Sequence, residues 1–143
     1  MAFKFLTTED LETQVLLQFI NERSAEALQA ILDELEAQGI EIIKTKLKGR
    51  YDTAAIFDTT GAERHHLIVG ILTTLVLYKF VRRNAARKVP ADYKEDYDMA
   101  MKMLESIKSG KETPDGLPKP IDAQGIEVAA PTYVNRSNKD FYI

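Results

Sequence analysis

Residues 62–88 read AERHHLIVGILTTLVLYKFVRRNAARK. The stretch begins polar, runs through an apolar middle over 67–81 that is broken only by Gly70, Thr73, Thr74 and Lys79, and ends in a basic cluster. A helix on a protein surface shows one apolar stripe, whereas a helix that is apolar almost all round is buried on most sides. The pattern therefore predicts a central helix over 62–88, roughly 40 Å long at 1.5 Å per residue. A membrane span is not the reading. The apolar run falls short of the roughly 20 residues a span needs and carries threonines and a lysine.

Working outward, the segment before this helix predicts another. Over 25–48, Leu28, Ile31, Leu32 and Leu35 recur at i, i+3, i+4 and i+7, and the stripe continues through Gly39, Ile42, Ile43 and Leu47. Gly39 thus falls on the buried face, either as a close-approach point for a neighbouring helix or as a break. The surviving period favours one continuous or kinked helix, ending at Gly49 in the usual place for a left-handed residue. Upstream, Phe3–Leu6 is a short apolar lead-in. Thr7 or Thr8 caps a first helix over 9–19 with Leu11, Val15 and Phe19 in one stripe, and Asn21 or Ser24 caps the second. Residues 52–61 read as a connector in which Ile56 and Phe57 cover the core edge, with Thr59 or Thr60 capping the central helix.

Downstream, Val89-Pro90 stops the central helix. A last helix spans 91–109 and ends at Gly110, with Tyr93, Tyr97, Ala100, Met101 and Leu104 at helical spacing and Met103 and Ile107 beside them, a core-packing stripe. From 111 the chain turns rich in proline and glycine, which reads as loop or extended chain. Residues 126–134 suit a short edge strand interrupted by Pro131, and the tail ends in Phe141, Tyr142 and Ile143. The expected architecture is mainly α: a small bundle of about four helices around a long central one. Residues 1–110 form its helical domain and 111–143 an extended C-terminal arm.

The 143 residues suit one domain with a real core, and the absence of cysteine excludes disulfides and thiolate metal sites. The opening MAFKFLTTEDLE lacks the apolar core of a signal peptide. Net charge is −3 but uneven. Residues 1–38 are mostly acidic, whereas Lys44, Lys46, Lys48 and Arg50 form one basic cluster and Lys79, Arg82, Arg83, Arg87 and Lys88 another. Cations suit helix C-terminal turns, and such asymmetry also bears on partners. The histidines, His65 and His66, are adjacent in the expected first turn of the central helix. Adjacent helical positions point about 100° apart, so the two cannot share a metal as an i, i+4 pair does. No phosphate-cradling, dinucleotide, zincin or nucleophile-elbow motif occurs. The expectation is a protein without catalytic residues, cofactor or metal. The basic clusters leave one alternative from another class, a small helical DNA-binding or regulatory protein.

Four segments carry a resemblance: FLTTEDLE, IIKTKLKGRYD, LIVGILTTLVLYKFVRRNA and YKEDYDMAMKMLESIKSGK. In this order and spacing the chain resembles the phage and prophage family of Mu-like head–tail connector (adaptor) proteins. The matching positions are Leu47, Gly49, Arg50 and Tyr51 in the turn after the second helix, and Leu77, Tyr78, Arg82 and Arg83 at the end of the apolar helix. Tyr93 or Tyr97, Leu104, Glu105 and Gly110 match in the last helix, and Arg136 and Phe141 in the tail. The connector DTAAIFDTTG departs from the proline-rich link usual in that family. The resemblance implies a virion structural protein, made in the host cytoplasm and lodged at the head–tail interface. It implies a ring, typically dodecameric, that lies under the portal, joins the capsid vertex to the stopper or tail, and passes DNA without sequence preference. The expected partners are further copies of itself, the portal protein and the stopper or tail-completion protein, with no membrane. On this reading Gly49, Arg50 and Tyr51 are a structural turn. Lys44, Lys46, Lys48, Arg82, Arg83, Arg87 and Lys88 are channel or subunit contacts. Tyr133, Arg136, Phe141, Tyr142 and Ile143 belong to a docking arm.

Overall fold

A computed structural model describes residues 3–12, 25–84 and 89–128. Their helices are α1 (Thr8–Glu12), α2 (Ala25–Leu47), α3 (Thr53–Asp58), α4 (His66–Asn84) and α5 (Ala91–Ser109), with a 3-10 turn at Gly61–Glu63. Helices α2, α4 and α5 pack on one another, α1 leans on α4 and α3 on α2. The fold is mainly helical, as the periodicities predict, and no helix among the described residues is long and apolar enough to cross a membrane.

The central position of α4 is borne out. Ile68, Ile71, Leu72, Leu75, Val76, Leu77, Phe80 and Val81 are all buried, and so is Thr73. Thr73 sits inside because its hydroxyl donates to the Val69 carbonyl one turn back at 2.7 Å, as that of the half-buried Thr74 does to Gly70 at 2.9 Å. The expected start at residue 62 is not. The helix begins at His66, and at 19 residues it is about 28 Å long. Arg64 explains the delay: its guanidinium is drawn to Asp10 at 2.6 Å and to the Phe5 and Gly61 carbonyls, which holds residues 61–64 out of the α conformation. Neither Thr59 nor Thr60 caps α4. Thr59 Oγ1 donates to the Ile56 carbonyl and Thr60 precedes the 3-10 turn without a side-chain bond. Residues 85–88 lie outside the described part.

Helix α2 runs unbroken through Gly39, which settles the alternatives in favour of close approach. A Cβ on Gly39 would lie 2.6 Å from Leu72 Cδ1, so α2 and α4 meet where α2 has no side chain. The helix stops at Leu47, with Gly49 left-handed at φ +88°. The connector is not plain loop. Asp52 accepts from the Ala55 amide at 3.1 Å and nucleates α3, whose Ile56 and Phe57 are buried as expected.

At the N-terminus Thr7 is the cap of α1, and the bond is reciprocal: Asp10 N–H donates to Thr7 Oγ1, and Thr7 N–H donates to the Asp10 carboxylate. Residues 13–24, including Val15, Phe19, Asn21 and Ser24, lie outside the described part. The lead-in is fastened by a buried carboxylate. Glu36, 2% exposed, accepts the backbone N–H groups of Lys4, Phe5 and Leu6 at 2.7, 2.8 and 2.6 Å. Phe5 then meets Phe57 edge-on at 5.0 Å.

Helix α5 has the expected bounds, and Gly110 closes it at φ +78°. Ala100, Leu104 and Ile107 are buried, while Tyr97 stacks on Tyr78 of α4 at 4.3 Å. Residues 111–128 are non-helical, as expected, yet they are not detached. Leu117 is buried among the helices, and the Pro118 carbonyl accepts the Asp52 N–H at 2.8 Å. The chain thus stays on the helical body through Pro118. The strand expected from 126 is reduced, among the described residues, to an isolated bridge between Ile121 and Glu127.

Gly39→Val is expected to lower unfolding stability by about 2 kcal/mol through overpacking against Leu72. Pairing it with Leu72→Ala should give a smaller loss than the sum of the single losses, measured by urea denaturation. Asp10 offers a pH test. Burial raises its carboxyl, but the Arg64 hydrogen bond, the Thr7 bonds and the Arg64 charge together hold it below its ordinary value. A carboxyl depressed in this way adds stability above its unfolded value and loses it as pH falls through the folded one. Asp10→Asn should therefore be less stable than the natural chain near neutrality, with the gap closing below about pH 4.

Candidate functional site

The turn after α2 is the point where most of the molecule meets. The Leu47 carbonyl accepts the N–H groups of both Arg50 and Tyr51, at 3.1 and 3.2 Å, which folds the chain back on the helix end. Gly49 supplies the positive φ that this reversal requires. Arg50 then reaches across to α5, where Nε donates to the Lys108 carbonyl at 2.6 Å. Its guanidinium covers Gly110 so closely that a Cβ there would sit 2.8 Å from Nη1 and Nη2. Arg50 thus caps the C-terminal end of α5, where unpaired carbonyls and the helix dipole favour a cation. Tyr51 is half-buried against the core, and Asp52 ties the Pro118 carbonyl with its amide and α3 with its carboxylate. Sequence reasoning places Gly49, Arg50 and Tyr51 in a structural turn. The geometry adds what the turn joins: α2, α3, α5 and the 111–118 segment.

The basic side chains around this turn are partly engaged. Lys46 Nζ lies 2.7 Å from Glu105 on α5, and this hydrogen bond, with the Lys46 and Lys108 charges, holds the Glu105 carboxyl below its ordinary value. Lys44 stands 3.7 Å from Glu41 and 5.9 Å from the centre of the Phe57 ring. Lys48 is exposed. The second cluster is elsewhere. Lys79 Nζ reaches Gln38 Oε1 at 3.3 Å, and Arg82 and Arg83 stand exposed one turn beyond it. Gln38 and Lys48 are about 15 Å apart along α2, so the structure does not bring the two clusters together. Arg87, Lys88, Tyr133, Arg136, Phe141, Tyr142 and Ile143 lie outside the described residues.

The histidines do not share the first turn of α4. His66 opens the helix, whereas His65 precedes it and lends its carbonyl to Val69 N–H. His65 Nε2 donates to the Asp115 carbonyl at 2.6 Å, and Nδ1 is buried without a partner among the described residues. The contact pins the 111–118 segment from a second side. Among the described residues no group of three or more histidine, aspartate or glutamate side chains is placed to hold a metal ion.

Sequence reading misses two polar fasteners. Glu36 is counted there with the acidic N-terminal third, although it has Leu32 and Ile40 four residues to either side, a visible sign of a charge within the apolar face. The Arg64–Asp10 pair spans 54 residues of chain and leaves no local signal. Comparison of the chain with protein-family models, curated proteins and solved structures finds no match among any of them.

Arg50→Ala should lower stability by about 1 kcal/mol by stripping the Lys108 carbonyl of its donor. Arg50→Lys should restore little of it, because an ammonium cannot reproduce the planar Nε–H geometry. The midpoint of urea unfolding checks both.

Proposed function

We propose that this chain is a head–tail connector (adaptor) of a phage or prophage virion, a structural subunit that forms a ring beneath the portal and joins the capsid vertex to the stopper or tail. The observation that carries the reading is the meeting of two resemblance-bearing segments distant in sequence. Arg50 of the glycine-arginine-tyrosine turn sits on the closing Gly110 of the last helix, and Lys46 pairs with Glu105 of that helix. These positions thus act as one junction.

The charge layout supports the same reading. On α5 the exposed residues of the first half are mostly acidic, Asp92, Glu95, Asp96 and Asp98 against Lys94. Lys108 and Lys111 at its far end lie beside the basic turn of α2. A body acidic along one flank and basic at the other end suits head-to-tail contacts of opposite sign, the kind of heterologous interface that closes into rings. The DNA-binding alternative gains no comparable support, since Lys44, Lys46 and Arg50 are spent on contacts within the chain.

Co-expression with a phage portal protein tests the proposal. Electron micrographs should show rings of this chain on the portal, and deletion of residues 130–143 should leave a folded helical protein that no longer joins it. Normal assembly by the truncated chain would remove the arm from the account. A duplex gel shift by the free chain at low salt, abolished on neutralising Arg82, Arg83, Arg87 and Lys88, would turn the reading to DNA binding.

A further inference from the structure

Between α4 and α5 runs an open groove of about 490 Å³, with a bed of Leu77, Met99, Ala100 and Met103, Tyr93 at one end and Asp96 on its rim. Met99 is 68% exposed, on a helix whose other outward residues are almost all charged. A single exposed methionine is ordinary, but one beside a half-buried Met103 and a tyrosine in a concave bed makes a soft, adaptable docking surface. Asp96 lines it, Asp92, Glu95 and Asp98 are exposed on the same half of α5, and none of the four has an ion-pair partner among the described residues. The groove therefore suits an apolar ligand that carries positive charge.

We infer that its occupant is this chain's own segment 129–143, with Phe141, Tyr142 and Ile143 in the apolar bed and Arg136 and Lys139 against the acidic rim. Composition supports the match. The segment offers Tyr133, Val134, Phe141, Tyr142 and Ile143, and its charged side chains are Arg136, Lys139 and Asp140, a balance of +1 facing a net −3 over Asp92, Lys94, Glu95, Asp96 and Asp98. Reach supports it as well. The segment leaves from Val128, whose N–H is held by the Pro120 carbonyl, and the chain two residues earlier is fastened to Asp52 beside Arg50 and Gly110. From Gly110 back to Met99 along α5 is about 16 Å. Thirteen extended residues, from 129 to 141, span up to about 43 Å. A tether this much longer than its gap still keeps the segment at an effective concentration on the order of millimolar, which favours the chain's own segment over another copy's. The inference concerns the free chain and holds whatever that chain assembles with.

The chain has no cysteine, so cross-linking can be read cleanly in the full-length protein. Met99→Cys with Tyr142→Cys, oxidised at low protein concentration, should form a disulfide within the chain, seen as a faster-running monomer on a non-reducing gel. Glu41→Cys with Tyr142→Cys, using an exposed position on α2, should form about tenfold less. Equal yields from the two pairs would overturn the inference. Linkage chiefly between chains would also overturn it and assign the groove to a second copy. A second measurement avoids cysteines. Trypsin should cut after Arg136 and Lys139 about tenfold faster in Met99→Asp than in the natural chain, with far-UV circular dichroism unchanged because residue 99 is exposed. Identical rates in the two proteins would count against the docked segment.

Discussion

Helices α2 and α4 approach as closely as they do because residue 39 has no side chain. Leu72 occupies the space a Cβ would take, and it is itself fully buried. Much else follows from that contact. It places the Leu35–Leu47 face of α2 on the Leu72–Val76 face of α4, and so fixes which turns of each helix are inside. One turn before Gly39, Glu36 is carried into the interior by the same rotation of α2. There its carboxylate gathers three backbone N–H groups from a lead-in that belongs to no regular element. A buried carboxylate is tolerable only when its acceptors are filled, and those amides have no other partner among the described residues. The two therefore depend on each other, and both depend on the close crossing.

The remaining polar contacts act as clamps on pieces that the apolar core holds weakly. Arg64 binds Asp10 and the Phe5 carbonyl, fastening α1 and the lead-in to the start of α4. Arg50 caps α5 from the end of α2. Asp52 and His65 take the 111–118 segment from two sides, on the Pro118 and Asp115 carbonyls, with Leu117 buried between them. Each clamp joins elements far apart in sequence, and each uses a backbone carbonyl or amide.

This division explains what the sequence discloses. Repeating apolar positions announce α2, α4 and α5, because a helix that buries a face must repeat it every three or four residues. Gly39 within the stripe announces the close crossing, and Gly49 and Gly110 announce the helix ends. The short elements escape. TAAIFD is too brief to show a period, and only Asp52 three residues before Ala55 marks α3 as a capped helix. The start of α4 is set by Arg64 seeking a partner 54 residues away, which no local pattern records. The junction at Gly49–Tyr51 is legible as a turn, yet its role as the cap of α5 is not, since the acceptor is a backbone carbonyl and carries no residue identity.

The surfaces left over also set a constraint on assembly. In the proposed ring, contacts of opposite sign draw on the acidic first half of α5, the same flank that rims the α4–α5 groove. A neighbour's basic end and the chain's own 129–143 segment would then compete for one face, and a ligand moves such an equilibrium only by its differential affinity for the two states. The intramolecular segment has the advantage of its tether at low concentration, whereas the neighbour gains as subunits crowd around a portal. On the docking inferred above, the free chain would keep its apolar groove covered. In the proposed ring, a neighbour that takes this face would displace the segment and leave it free for the next component of the connector.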